Sequence, residues 1–486
     1  MYKMNSFEKL RGIVFFIACC LTLCVNIHAQ SYDPPFRIEL EAKTLYNSYF
    51  LDLAGEKGLI LMQNNHDDLS WKLIHYDTLF QTVTAKDITF NKSLFLQTTF
   101  LSSSLYCAAL QTSTKAKDQT FNSFFVSYDF ASHKINVYAF KLLEDERIEK
   151  LAQTNNCIVF STINDKSEEK NYLFDCEHST FTNFGDNFSI CSFVYDTNRQ
   201  CLWIDGIESI SKNDNHLRIF SISNNRKIEK DIIVHLDSNY YLHESFIQLA
   251  PNNNLLVSGL YSSKNRKSKI LNSGLYNFVI HNDTPQQARF LEFSDIELLT
   301  DQQRLANCHS HTFSVYQNDS IQIVATEFYE PIYEQDNNIG FYYTNMYSGV
   351  RLVGFKYIKS FISTISTNGD FKDYNVVVYP NLLLKEVRKL ISGYVDEENN
   401  LLVLFADDGK IFSLIFNKET TTLPSFCDNI EPCSRLDIVN KDYSSTCRHW
   451  YSNYFLCYGF QQLTKRGANK RSGNHNIFYF SKLIYD

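Results

Sequence analysis

Asn254-Leu-Leu-Val-Ser-Gly-Leu-Tyr-Ser262, Gly274-Leu-Tyr-Asn-Phe-Val-Ile280 and Ala288-Arg-Phe-Leu-Glu-Phe293 are the three runs whose reading decides the fold. Leu255 to Val257 are apolar without alternation, which describes a strand covered on both faces. The second run alternates around Tyr276 and Phe278, and the third is more polar, as strands nearer solvent are. The pattern returns in Asn400-Leu-Leu-Val-Leu-Phe-Ala-Asp-Asp408 and Lys410-Ile-Phe-Ser-Leu-Ile-Phe416.

Working outward, apolar first strands begin at Leu59, Leu105, Cys157, Cys201, Leu255, Ile321, Leu401 and Tyr454. Partners begin near Trp71, Phe124, Tyr172, Leu217, Leu275, Leu352, Ile411 and Ile477. Spacings of 44 residues (Cys157 to Cys201) to 80 (Ile321 to Leu401) are those of propeller blades with inserted loops. The first strands read as the inner strands of their sheets. Helical periodicity is nearly absent, with residues 142–152 the best candidate. The expected fold is all-β, a propeller of seven or eight blades. The alternatives are another multi-sheet β fold and a membrane β-barrel. A barrel requires alternation in every strand, which Leu401 to Phe405 lack.

On these repeats, over residues 36–486, the chain resembles secreted β-propeller-like proteins of bacterial envelopes, many of unassigned function. The eighth unit lacks an outer strand and Phe36-Arg-Ile-Glu-Leu40 is a spare one, so pairing the two would close the ring and remove two sheet edges. Gly (16) and Pro (8) are scarce, so turns fall to Asn and Asp, at Asn64-Asn65, Asn252-Asn253-Asn254 and Asn399-Asn400.

Residues 1–29 read as a signal peptide: Lys3, Lys9 and Arg11 against Glu8, an apolar run over 13–27, and Ala29 before Gln30. The expected location is periplasmic, cell-surface or secreted. A single propeller-like domain then occupies 30–486. Its net charge is −10, the chain's −8 less the leader's +2, which excludes a nucleic-acid partner. No segment after the leader is long and apolar enough for a transmembrane helix.

Ten of the 13 cysteines follow residue 29, and export permits disulfides. If Trp450 and Tyr454 flank a three-residue loop, facing residues sum to 904, which opposes Cys447 and Cys457; Cys427 and Cys433 are the second candidate pair. His309 and His311, beside Cys308, are the nearest approach to a metal site, but no fourth ligand is identifiable and they read as polar surface. No cofactor is expected. The basic loops 264–269 and 465–471 read as surface hairpin loops. No nucleophile elbow, zinc helix, phosphate loop or dinucleotide fingerprint is present.

Tyr329, Tyr333, Phe341, Tyr342, Tyr343 and Tyr347 interrupt the sixth unit in an aromatic, acidic stretch. Such loops on a rigid β scaffold make contact surface at low entropic cost, and these residues are the candidate partner surface. The opposing reading is a long hairpin extending its blade. The functional expectation is an exported, non-enzymatic binding or scaffold protein of the cell envelope with a protein or glycan partner. The alternative is an exported carbohydrate-active or other hydrolytic enzyme. The two divide on whether acidic and His side chains from several units converge on the central channel.

Overall fold

A computed structural model describes residues 37–42, 48–65, 69–112, 122–143, 145–185, 188–211, 214–236, 239–250, 252–263, 272–299, 302–335, 350–417, 426–434, 436–465 and 474–485. Residues 1–29, read above as a signal peptide, together with Phe341, Tyr342, Tyr343, Tyr347 and most of both basic loops, lie outside them. Eight separate antiparallel sheets form an eight-bladed propeller, which excludes the single closed sheet of a barrel. No described helix is long and apolar enough to cross a membrane.

The physical logic is clearest in the strands expected to be inner. They are Leu59–Asn65, Leu105–Gln111, Cys157–Ile163, Cys201–Ser211, Leu255–Ser263, Ile321–Gln335, Leu401–Asp407 and Tyr454–Lys465, and in each blade they are second from the axis. Their odd and even residues serve different junctions. Leu59 and Leu61 pack between blades 8 and 1, while Ile60 and Met62 pack between blades 1 and 2. Leu401 and Val403 face blade 6, and Leu402 and Leu404 face blade 8. Burial on both faces explains why these runs do not alternate.

The innermost strands instead precede them: Tyr49–Leu53, Phe95–Leu101, Arg147–Gln153, Phe188–Asp196, Tyr240–Leu249, His309–Gln317, Ser392–Val395 and Thr446–Tyr451. One side of each borders the channel, so polar residues break their apolar pattern. The expected helix over 142–152 is corrected here, because Arg147–Gln153 is the innermost strand of blade 3. A bulge between Ile148 and Lys150 shifts its faces by one residue. Buried Ile148, Leu151 and Ala152 thereby fall at helix-like intervals.

Closure follows the sequence expectation. Arg37–Glu41 pairs with Asn474–Ile484, with Arg37 opposite Ser481 and Glu41 opposite Ile477, and completes blade 8. Turns use positive φ at non-glycine residues, including Asn253 (61°) and Asn399 (64°), as anticipated; Asn64 and Asn65 end a strand instead.

Candidate binding site at the inner ring

The innermost strands of blades 2 to 5 each carry a bulge: between Leu96 and Thr98, Ile148 and Lys150, Ile190 and Ser192, and Leu242 and Glu244. A bulge re-aims the side chain that follows it. Thr98, Lys150, Ser192 and Glu244 therefore hold one structural position in four successive blades. At Glu244 the opposite strand accommodates this through Gly259, where a Cβ would lie 2.0 Å from the Glu244 carbonyl oxygen. Tyr276 donates its hydroxyl to that same carbonyl at 3.1 Å.

Blade-to-blade contacts lock the ring. Lys150 donates to the Ile190 carbonyl, and Ile247 N–H donates to Ser192 Oγ at 2.8 Å. Ser192 Oγ also donates to fully buried Asp205, and Thr312 N–H donates to Glu244 Oε2 at 2.8 Å. Glu327, fully buried in blade 6, accepts the Leu390 N–H at 3.1 Å and the Ile391 N–H at 2.8 Å. His311 Nε2 lies 2.8 Å from its other side. The His449 N–H donates to Ser392 Oγ, tying blade 8 to blade 7.

Titratable groups from most of the blades thus face one another electrostatically. Burial pushes Glu244 up to about 7 against the pull of His311, the Thr312 N–H, Lys389 and Lys150. Burial also pushes Asp205 up to about 6, opposed by Ser192 and Lys150. Burial lowers the Lys389 pKa and Arg448 lowers it further, while Glu244 and Glu327 work the other way. Burial raises Asp52, partly offset by Thr99 and Arg448. Two carboxyls poised near neutrality beside a histidine and lysine can exchange hydrogen bonds with hydroxyl groups as donor or acceptor.

Blade 6 overhangs this ring. Its middle strands, Ile321–Gln335 and Val350–Ser366, are the longest among the described residues and continue past Glu327 as a paired hairpin. Tyr329 lies at the junction: its ring stacks on Tyr357 (5.5 Å, 29°) and on exposed His309 (5.9 Å, 19°), and touches His311 at 5.5 Å. Burial raises the Tyr329 pKa, with Glu244 and then Glu327 adding to it, so the rings adjoin the carboxylates. Farther out, Tyr333 opposes Leu352 and is 58% exposed. The aromatic stretch is therefore, where described, the extended hairpin of the opposing reading, with Tyr329 half-buried and Tyr333 at the surface.

The other sequence candidates resolve as follows. His309 and His311 share a strand as expected, and His311 Nε2 lies 2.8 Å from Glu327 without the geometry of a hydrogen bond. Among the described residues the one group of possible metal ligands lying close together is Asp175, Glu177 and His178, where Arg226 already bonds Asp175. Cys447 does oppose Cys457, through a two-residue turn with Trp450 bulged in place of the three-residue loop. Both thiols are nevertheless free and fully buried, and the hydrogen bond that the Cys447 thiol shares with Cys457, together with burial, raises the Cys447 pKa well above its ordinary value. Cys427 and Cys433 are free too: Cys427 pairs opposite Phe412, while the Cys433 N–H is drawn to Glu39 of the closing strand at 2.8 Å.

Sequence reasoning missed Asp52, Lys150, Asp205, Glu244, Lys389 and Arg448, and reached Glu327 only as an acid just before the aromatic stretch. The usable signal was weak, because the post-bulge residue precedes its second strand by 7 residues at Lys150, 9 at Ser192 and 11 at Glu244. Hairpins of unequal length hide the shared position.

No family model and no curated protein matches the chain. Solved structures similar to it include the polysaccharide lyase Uly1, at 8% identity and TM-score 0.44 over 80% of this chain and 89% of that one. The WD40 domain of SCAP from fission yeast is similar at 9% identity and TM-score 0.44, over 92% and 98%. The β-propeller domain of the Trilobed protease from Pyrococcus furiosus gives 8% and 0.36, over 78% and 97%. Nothing about a ligand follows from likenesses at this level; the chain is an eight-bladed propeller without a demonstrated family.

Proposed function

We propose that this is an exported binding propeller that takes a glycan where blade 6 overhangs the inner ring. The observation that carries the reading is the placement of the half-buried Tyr329 ring and the exposed His309 ring beside Glu244 and His311, with buried Tyr357 and Glu327 backing them. Flat rings cover the apolar face of a sugar, and carboxylate and imidazole groups engage its hydroxyls. A protein segment is the competing partner, and it would use exposed Tyr333 and Leu352 before it used the ring.

Calorimetric titration with neutral and acidic hexasaccharides tests this directly. Binding to at least one, weakened by His309→Ala, is the expected result; no heat with any of them refutes the glycan reading. Export is tested separately by N-terminal sequencing of the protein recovered from its native host, which should begin at Gln30. In an oxidising compartment the opposed Cys447 and Cys457 are the pair that would bridge.

A second reading, a hydrolytic enzyme, draws on Glu244 held at about 7 close to His311. A carboxyl in that range suits general acid catalysis. Release of new reducing ends from a bound oligosaccharide, abolished by Glu244→Gln, would establish it.

A further inference from the structure

The residues between blades 6 and 8 form a fixed strap. Tyr357 OH donates to the Arg388 carbonyl at 2.6 Å, and the Arg388 N–H returns a bond at 2.9 Å. The Arg388 guanidinium donates to Thr446 Oγ1 at 2.9 Å and to the Ser445 carbonyl at 2.8 Å. Leu390 and Ile391 are pinned by Glu327. Lys389 is thus held between anchors on both sides, with its ammonium 5.3 Å from the Phe313 ring centroid.

Arg448 lies two residues beyond Thr446 on the innermost strand of blade 8, hence on the same face as the residue that Arg388 grips. Arg448 is exposed, Lys389 is solvent-accessible although the atoms crowded around it lower its pKa, and neither has an ion-pair partner within 4.0 Å among the described residues. The nearby acids have partners of their own: Glu327 two backbone amides, Glu244 the Thr312 amide, and Asp52, the acid beside Arg448, the Thr99 and Tyr106 hydroxyls. Like charges held together on a rigid frame, without a counter-ion of their own, repel unless an anion joins them.

We propose that the glycan is acidic, and that Lys389 and Arg448 receive a sugar carboxylate while the Tyr329 and His309 rings carry the adjoining sugar face. This rests on the glycan-binding reading and adds the charge of the ligand to it. A guanidinium fork matches a carboxylate in two parallel hydrogen bonds, and the lysine supplies a second point charge. The Tyr329 and His309 rings near Glu244, which also acts on Lys389, favour a uronate over a bare inorganic anion.

The test uses the full mature chain and hexasaccharides of galacturonate, of mannuronate and of glucuronate-containing repeats, each beside its carboxyl-reduced neutral counterpart. At least one uronate should bind roughly tenfold or more tightly than its neutral form, and Arg448→Gln and Lys389→Gln should each remove most of that difference. Added salt should weaken the acidic ligand selectively. Equal binding of acidic and neutral forms overturns this inference and leaves the glycan reading standing. No binding by either form overturns both. A peptide with a free C-terminal carboxylate that competes more strongly than any uronate also overturns it. Circular dichroism of each variant, together with retained binding of the neutral oligosaccharide, separates loss of charge from loss of fold.

Discussion

The junctions between blades and the inner ring are built from adjoining strands, and they obey opposite rules. Each junction is a self-contained apolar cluster, such as Phe125, Phe140, Phe160 and Phe174 between blades 2 and 3. Every blade repeats this arrangement with different hydrophobic residues. The ring repeats nothing but backbone geometry: one post-bulge position carries Thr98, Lys150, Ser192 and Glu244 in turn. Apolar packing needs only size and shape, so many residues satisfy it. A ring of charges needs particular partners at each place. The scaffold is redundant, and individuality is concentrated on the innermost strands.

The sharpest way to break this contrast is to damage a junction. The Phe125 ring sits 4.5 Å from Phe140 and 5.3 Å from both Phe160 and Phe174. Phe125→Ala should cost about 3–5 kcal/mol in urea unfolding. Ligand affinity, measured well below the unfolding transition, should stay unchanged; a parallel loss of affinity would mean that junction and ring are not independent.

Smaller effects come from the ring itself. Glu244 at about 7 and Asp205 at about 6 stand above their ordinary values of 4.5 and 3.8. The folded chain therefore holds more protons than the unfolded chain between about pH 4 and 7, and the contribution of these groups to stability falls as pH rises through that window. Glu244→Gln should lessen the drop in urea midpoint between pH 5 and pH 8. A variant that follows the wild-type drop unchanged would show that Glu244 is not held protonated.

The smallest expected change in stability is at the hairpin. Tyr333→Ser should alter unfolding by no more than about 0.5 kcal/mol, because the side chain is mostly exposed. It should still weaken oligosaccharide binding if the hairpin borders the ligand. Loss of stability without loss of binding would return Tyr333 to a packing role.

How far the sequence could be read follows from the same contrast. Strands such as Leu401–Asp407 were legible because burial on both faces leaves an uninterrupted apolar run. The spare strand at Arg37–Glu41 was legible because one unit was visibly short of a partner. Arg147–Gln153 was misread because its bulge imitates helical spacing. The hairpin register at Cys447 and Cys457 was right although its turn was not, since the bulge at Trp450 offsets the shorter loop. Glu327 was legible as an acid beside the aromatic stretch but its burial was not, because its partners are backbone amides 63 and 64 residues away and amides leave no mark on composition.

Closure by Arg37–Glu41 also imposes an order in time. This strand leaves the ribosome before any blade, while its partner Asn474–Ile484 leaves after all the others. No outer strand for blade 8 exists until both are present, so the ring stays unsealed until Asn474–Ile484 has emerged. Bringing together strands so far apart carries a loop-closure cost that grows slowly with length but must be met before any pairing rewards it. The seam between blade 8 and its borrowed strand is accordingly where folding should finish and where unfolding by force should begin.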